Sequence, residues 1–167
     1  MSHPVLGRDA LHTVHLTLNG RERRGQAQPR LLLSDFLRHE LGATGTHVAC
    51  EHGVCGACTV RIDGVAARAC LTLAVQVDGR RVDTVEAPQG EHPLLDALRA
   101  AFKRHHALQC GFCTAGILMS SADWLQRQQA AGQRPDEGEV RDMLSGHLCR
   151  CTGYTPIVNA VMEVACA

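Results

Sequence analysis

The chain has 167 residues, 45% of them apolar, and its 17 Lys and Arg balance 17 Asp and Glu, so its formal net charge is zero. That balance gives no electrostatic ground for a nucleic-acid or membrane-surface partner, and no stretch reaches the roughly 20 apolar residues that a membrane span requires. Aromatics are scarce at 3% while cysteines number nine, so the thin cores of so short a chain are expected to be stapled through sulfur.

Residues 1–12 read as a polar tail. Thr13 to Leu18 alternates and ends at Asn19-Gly20, which predicts a strand, a tight turn and a return strand over Arg21 to Gln26. Leu31 to Leu41 carries apolar residues at 33, 36, 37 and 41 and stops at Gly42, the pattern of an amphipathic helix. A glycine-rich loop with three cysteines follows over 42–58. Thr59 to Ile62, Asp63-Gly64 and Val65 onward predict a second hairpin, and Arg81 to Val85 a closing strand. Pro88-Gln89-Gly90 breaks the pattern and marks a domain boundary.

Beyond residue 90 the apolar period lengthens from two to about 3.6. Pro93 opens a helix whose Leu94, Leu95, Leu98 and Phe102 share a face. A second helix is expected from about Thr114 to Gln129, with Ile117, Leu118 and Leu125 inward. Asp136 and Glu139 form a capping pair that opens a third helix ending at Gly146. Thr155-Pro156 is expected to cap and start a fourth, through Val164. The front half (13–88) therefore mixes strands and helix, and the back half (89–167) is two helical hairpins. Each hairpin carries its cysteines at the turn, so pairing them side by side would bring four thiols to one end.

No basic start followed by an apolar run marks residues 1–9 as a secretory signal, and Arg23-Arg24 is not followed by an apolar stretch. A cytoplasmic location is expected, where thiols stay reduced and clustered cysteines favour metal or redox centres. The odd count of nine suits four plus four plus one better than a full set of disulfides. Cys166, near the end, reads as the spare.

Cys50, Cys55, Cys58 and Cys70 are spaced C-x4-C-x2-C-x11-C, and the first three match the plant-type [2Fe–2S] spacing with a remote fourth ligand. A close loop supplies three thiolates, and its glycines let backbone amides turn toward sulfur. Zinc is the competing reading, although zinc sites favour two separated pairs. His47 and His52 beside the ligands raise a Rieske-type arrangement, which four available cysteines make unnecessary. Cys110-x2-Cys113 and Cys149-x-Cys151 are two close pairs, and their spacing points to a metal without choosing between zinc and iron. A second redox centre beside the first would make a wire, which a structural zinc would not.

The run Cys50-Glu51-His52-Gly53-Val54-Cys55-Gly56-Ala57-Cys58-Thr59-Val60 resembles the first cluster loop of the xanthine oxidase (molybdenum hydroxylase) family. Gln109-Cys110-Gly111-Phe112-Cys113-Thr114 and Leu148-Cys149-Arg150-Cys151-Thr152-Gly153-Tyr154 resemble its second cluster motifs. The resemblance spans about residues 13–165 and is to the separate small subunit of multi-subunit bacterial members. It implies an α+β chain: a plant-ferredoxin-like β-grasp domain, then a four-helix bundle [2Fe–2S] domain with its cluster buried near the molybdenum cofactor. It implies Gln109 as a molybdopterin contact. It also implies a large molybdopterin-binding subunit, a medium FAD-binding subunit and a dimer of heterotrimers. The implied role is electron transfer from the molybdenum cofactor through two clusters to FAD or another acceptor. The competing classes are a free-standing two-cluster ferredoxin or redox sensor, and a zinc-stapled interaction module. Two residues depart from the family pattern: Ala115 stands where proline is usual and His147 where asparagine is common.

Overall fold

The computed structural model describes residues 5–167. Of the expected polar tail, residues 1–4 lie outside the described residues; Val5 to Leu11 form no strand or helix and are exposed. β1 (His12–Leu18) and β2 (Arg21–Ala27) pair antiparallel around Asn19-Gly20, where both turn residues have positive φ, 50° and 77°. Asn and Gly tolerate that conformation, which sets a two-residue hairpin. β3 (Thr59–Ile62) and β4 (Val65–Arg68) repeat the device around Asp63-Gly64, with φ of 49° and 85°. β5 (Arg80–Asp83) closes the sheet by running parallel to β1 and antiparallel to β3, giving the order β2-β1-β5-β3-β4.

The helix expected over 31–41 takes a different form. A single α-helical turn, Leu33–Asp35 (α1), widens at once into a π-helical segment, Phe36–Glu40, closed by the Leu41 N–H on the Phe36 carbonyl at 3.0 Å. The wider coil sets Glu40 over the edge strand, where its carboxylate takes the Gln26 N–H at 3.0 Å. Leu33, Phe36 and Leu37 are fully buried beneath it, against Val14, Leu16, Val60 and Val82.

The back half contains α2 (Pro93–Arg104), α3 (Thr114–Ala130), α4 (Glu137–Leu144) and α5 (Thr155–Ala165). The capping pair forms as expected: Asp136 accepts the Glu139 N–H and Glu139 returns the bond, each at 2.9 Å. The start of α5 differs from expectation. Its cap residue is Tyr154, held in the left-handed region at φ 69°, and Thr155 is the first helical residue with no side-chain capping bond. α2 packs on α3 and α5, and α4 on α5 and α3, around a second core that includes Leu95, Leu98, Phe102, Ile117, Met119, Leu125 and Val161. Trp124 and Met143 pack on its margin. Among the described residues no helix is long and apolar enough to cross a membrane.

Leu98 is fully buried among three helices. Leu98→Ala is expected to cost about 2–5 kcal/mol, since the cavity adds to the lost transfer energy. A denaturant titration of the cluster-loaded protein checks this; a loss under 1 kcal/mol would mean that the helical core is not packed as described.

Between the cores, Thr84 is pinned by Asn19, which accepts its N–H at 2.8 Å, and Arg99 of α2 donates to the carbonyls of Val85 and Ala87. The front sheet and the helices also meet directly. All four residues of β3 are buried, because α3 covers the face that strand alternation would leave to solvent. There the Arg61 guanidinium donates to the Gly64 carbonyl and to Gln126 of α3.

Candidate functional site

The thiols of the two cysteine sets fall into pairs. In the first, the loop after the π-helical segment supplies Cys50, Cys55 and Cys58, and a 3-10 turn, Ala69–Leu71, presents Cys70 from the end of β4. Cys50 and Cys55 are partners, with the Cys55 N–H on Cys50 Sγ at 3.4 Å. Cys58 and Cys70 form the other pair, and both are buried. In the second set, Cys110 and Cys151 stand 3.5 Å apart, and Cys113 pairs with Cys149. Side-by-side hairpins thus bring both turns together, as element order predicts.

The electrostatics differ within each set. Amide donors, that of Cys55 foremost and then that of His52, bring the Cys50 thiol down to about 6. Burial, and then Cys58, push Cys70 up to about 11. Burial and then Cys149 push Cys113 up to about 12, whereas the Phe112 amide holds Cys110 below the ordinary thiol range. Burial raises Cys149, but bonds from the Thr152 hydroxyl and nearby amides outweigh it and leave the thiol lowered.

This donor set fits a two-iron core. Among the described residues no group of three or more His, Cys, Asp or Glu side chains closes to the spacing of a single-ion site. Two iron atoms bridged by sulfide instead ask for two pairs of thiolates, and two pairs are what each set presents. Loop amides already directed at sulfur, and the buried Thr114 hydroxyl beside Cys113 that has no partner among the described residues, suit the same occupant. Both histidines of the first loop have their Nδ1 engaged elsewhere: His52 on the Cys50 carbonyl, and His47 on the Phe112 carbonyl at 2.8 Å, with its ring stacked on Phe112. They do not enter the thiol sets as the Rieske arrangement would require.

In the chain by itself the second set is the more exposed one. Cys110 and Cys151 are exposed, and so are Leu108, Phe112 and Leu148 (58% exposed), their near neighbours in the chain. Gln109 bridges the two turns, its amide nitrogen donating to the Cys151 carbonyl at 3.1 Å.

The two sets are coupled through backbone. The Leu148 N–H donates to the Cys55 carbonyl at 3.0 Å, so a single hydrogen bond links a first-set cysteine to the residue before Cys149. Gly56 and Gly116 make this approach possible. A Cβ on Gly116 would collide with the Gly56 carbonyl oxygen and lie 2.9 Å from that of Ala57; one on Gly56 would strike His147. Arg68 reaches across to the Gly146 carbonyl at 2.8 Å. His147 is therefore an interface residue, 2% exposed, and burial, with Arg68 adding to it, pulls its imidazole down to about 4. It stays neutral at physiological pH. Ala115, the other departure, is buried in the first turn of α3.

Sequence reasoning missed the parts played by Arg61, Arg68, Thr152 and Tyr154. Alternation along a short strand would leave Arg61 to solvent, and nothing in the sequence marked α3 as its cover. Thr152 and Tyr154 stood inside a quoted motif, but only the folded turn shows what their hydroxyls touch.

Two family profiles match the chain: a 2Fe-2S iron-sulfur cluster binding domain over residues 40–99 and a [2Fe-2S] binding domain over 84–162. The caffeine dehydrogenase subunit gamma of Pseudomonas sp. (strain CBB1) is 49% identical, covering 92% of this chain and 91% of its own. The nicotine 6-hydroxylase small subunit of Paenarthrobacter nicotinovorans is 51% identical over 90% and 87%. Quinoline 2-oxidoreductase from Pseudomonas putida 86 contains a chain of the same fold, with a TM-score of 0.84 and 48% identity, covering 93% of this chain and 94% of that one.

Proposed function

Given that the chain belongs to the small iron–sulfur subunits of the xanthine oxidase (molybdenum hydroxylase) family, we propose that Cys50, Cys55, Cys58 and Cys70 hold one [2Fe–2S] cluster and Cys110, Cys113, Cys149 and Cys151 the other. The chain is the electron-transfer subunit of a multi-subunit molybdenum-dependent oxidoreductase, relaying electrons from the molybdenum cofactor through its two clusters to FAD or another acceptor on partner subunits. When bound, such clusters accept and pass single electrons without losing their ligands. The chain's own residues fix the thiols in pairs, direct amides at them and hold the two loops within one hydrogen bond of each other.

The observation that carries the subunit reading is the exposed second set. Two exposed thiols with the exposed Leu108, Phe112 and Leu148 close by in the chain make a poor surface for a free-standing ferredoxin and a good one for a large subunit to cover. That subunit would bring the molybdopterin against Gln109, beside Cys110. We divide the chain into a β-grasp, plant-ferredoxin-like domain over 13–88 and a four-helix bundle over 89–167, a division supported by the two separate cores. A dimer of heterotrimers with a medium FAD subunit, in the cytoplasm where nine thiols stay reduced, completes the reading.

Purification under native conditions is expected to recover this chain with a molybdopterin-bearing large subunit, and iron with inorganic sulfide at two of each per four proposed ligands. Zinc in place of iron would sink the cluster assignment, and a monomer with full iron and no partner would favour the free ferredoxin. Because the similar chains belong to proteins named for caffeine, nicotine and quinoline, a substrate screen of the complex starts with nitrogen heterocycles.

A further inference from the structure

The turn that carries Cys149 and Cys151 is held by two hydroxyls with separate tasks. Tyr154, in a strained left-handed conformation at φ 69°, places its own hydroxyl between the arms of the turn. That hydroxyl donates to the His147 carbonyl at 2.9 Å and accepts the Cys149 N–H at 2.8 Å. The Cys149 amide is thereby occupied and its backbone fixed. The same strained residue points its N–H at Thr152 Oγ1, 3.1 Å away. Thr152 Oγ1 in turn lies 3.2 Å from Cys149 Sγ.

The direction of this last bond follows from counting protons. A hydroxyl has one proton and two lone pairs, and a metal-bound thiolate can only accept. Tyr154 N–H fills one lone pair of Thr152, so the hydroxyl proton is available to the sulfur. Thr152 and Cys149 are both partly buried, where a charge–dipole contact is less screened than in water. One-electron reduction adds negative charge that spreads onto the ligand sulfurs, and a donor aimed at one of them favours the reduced state.

We infer that Thr152, oriented by the Tyr154 amide, is a positioning residue that donates its hydroxyl to Cys149 Sγ and raises the reduction potential of the second cluster. The inference rests on the ligand assignment proposed above. The backbone amides of Cys151 and Thr152 also reach Cys149 and survive a side-chain substitution, so a Thr152 variant isolates the hydroxyl.

The test is a redox titration of the intact complex, followed by electron paramagnetic resonance, which reads the two clusters separately. In Thr152→Val the second cluster is expected to lose about tenfold in its reduced-to-oxidised ratio at fixed potential, a downward shift of 59 mV for one electron. The first cluster should not move, and Thr152→Ser should stay near the native value. An unmoved second potential in Thr152→Val, or an equal drop in Thr152→Ser, overturns the inference while two intact signals leave the cluster assignment standing. Should the valine variant fail to assemble, Thr152→Ala removes the hydroxyl without adding bulk. Loss of the second cluster from both, with retention in Thr152→Ser, would replace potential tuning by a purely structural role. A native complex without two iron–sulfur signals would instead defeat the underlying assignment.

Discussion

Replacing Cys149 by serine is expected to remove one of two iron–sulfur signals from the reduced complex, halve its iron, and stop electron flow from substrate to the external acceptor. The reason lies in the pairing. Cys149 pairs with Cys113, a thiol that burial and then Cys149 itself push up to about 12. If these two thiols held iron, a tightly held proton would be displaced, and the two neighbouring thiolates would make that favourable together. A serine hydroxyl offers a harder, far less acidic donor, so the pair loses its hold. The front set does not share a ligand with it, and its thiols lie on different elements, so its signal should persist. Two unaltered signals in Cys149→Ser would mean that this residue is no ligand. Loss of both would mean that the two halves do not assemble independently.

A change at a residue that is itself no proposed ligand should have the second large effect. Gly116→Ala would ordinarily stabilise a helix by up to about 1 kcal/mol. Here the added Cβ runs into the carbonyl oxygen of Gly56 and sits 2.9 Å from that of Ala57. Those atoms are backbone of the loop between Cys55 and Cys58 and cannot rotate away. The expected net result is a loss of about 1–3 kcal/mol, the usual range for overpacking, with a lower thermal midpoint of the loaded complex. The more telling measurement is the rate of electron exchange between the clusters. If the helices shift as one body, pushing α3 away from the loop also stretches the 3.0 Å bond from Leu148, on the turn before α5, to Cys55, and electron tunnelling falls steeply with distance. Slower exchange with both clusters still present would place Gly116 in the control of cluster separation. A variant as stable and as fast as the native protein would show that the halves do not meet at this glycine.

Both effects arise where local pattern and tertiary contact divide the work, and the division runs through the whole molecule. Two-residue turns at Asn19-Gly20 and Asp63-Gly64, the capping pair Asp136–Glu139, and the apolar faces of α2 and α3 are set by residues close in sequence. Each was legible for that reason. The cysteine spacing likewise announced a loop carrying three thiols with a remote fourth, and helix order announced that the two later turns would meet.

Other features were decided only by contacts between distant segments. The π-helical widening at Phe36–Glu40 accompanies the seating of Glu40 on the β2 edge, and no periodicity within eleven residues records that edge. Which thiol pairs with which depends on how loops close in space, since spacing alone permits several pairings. The burial of Arg61 and His147, and the exposure of Cys110 and Cys151, follow from where one half of the chain covers the other and where it stops. By itself the sequence determined the thiols on offer and the turns that carry them. The tertiary structure decided their pairing, the approach of the two loops through Gly56 and Gly116, and the face left open, because short-range preferences act over a few residues while packing joins residues 93 apart in the chain, such as Cys55 and Leu148.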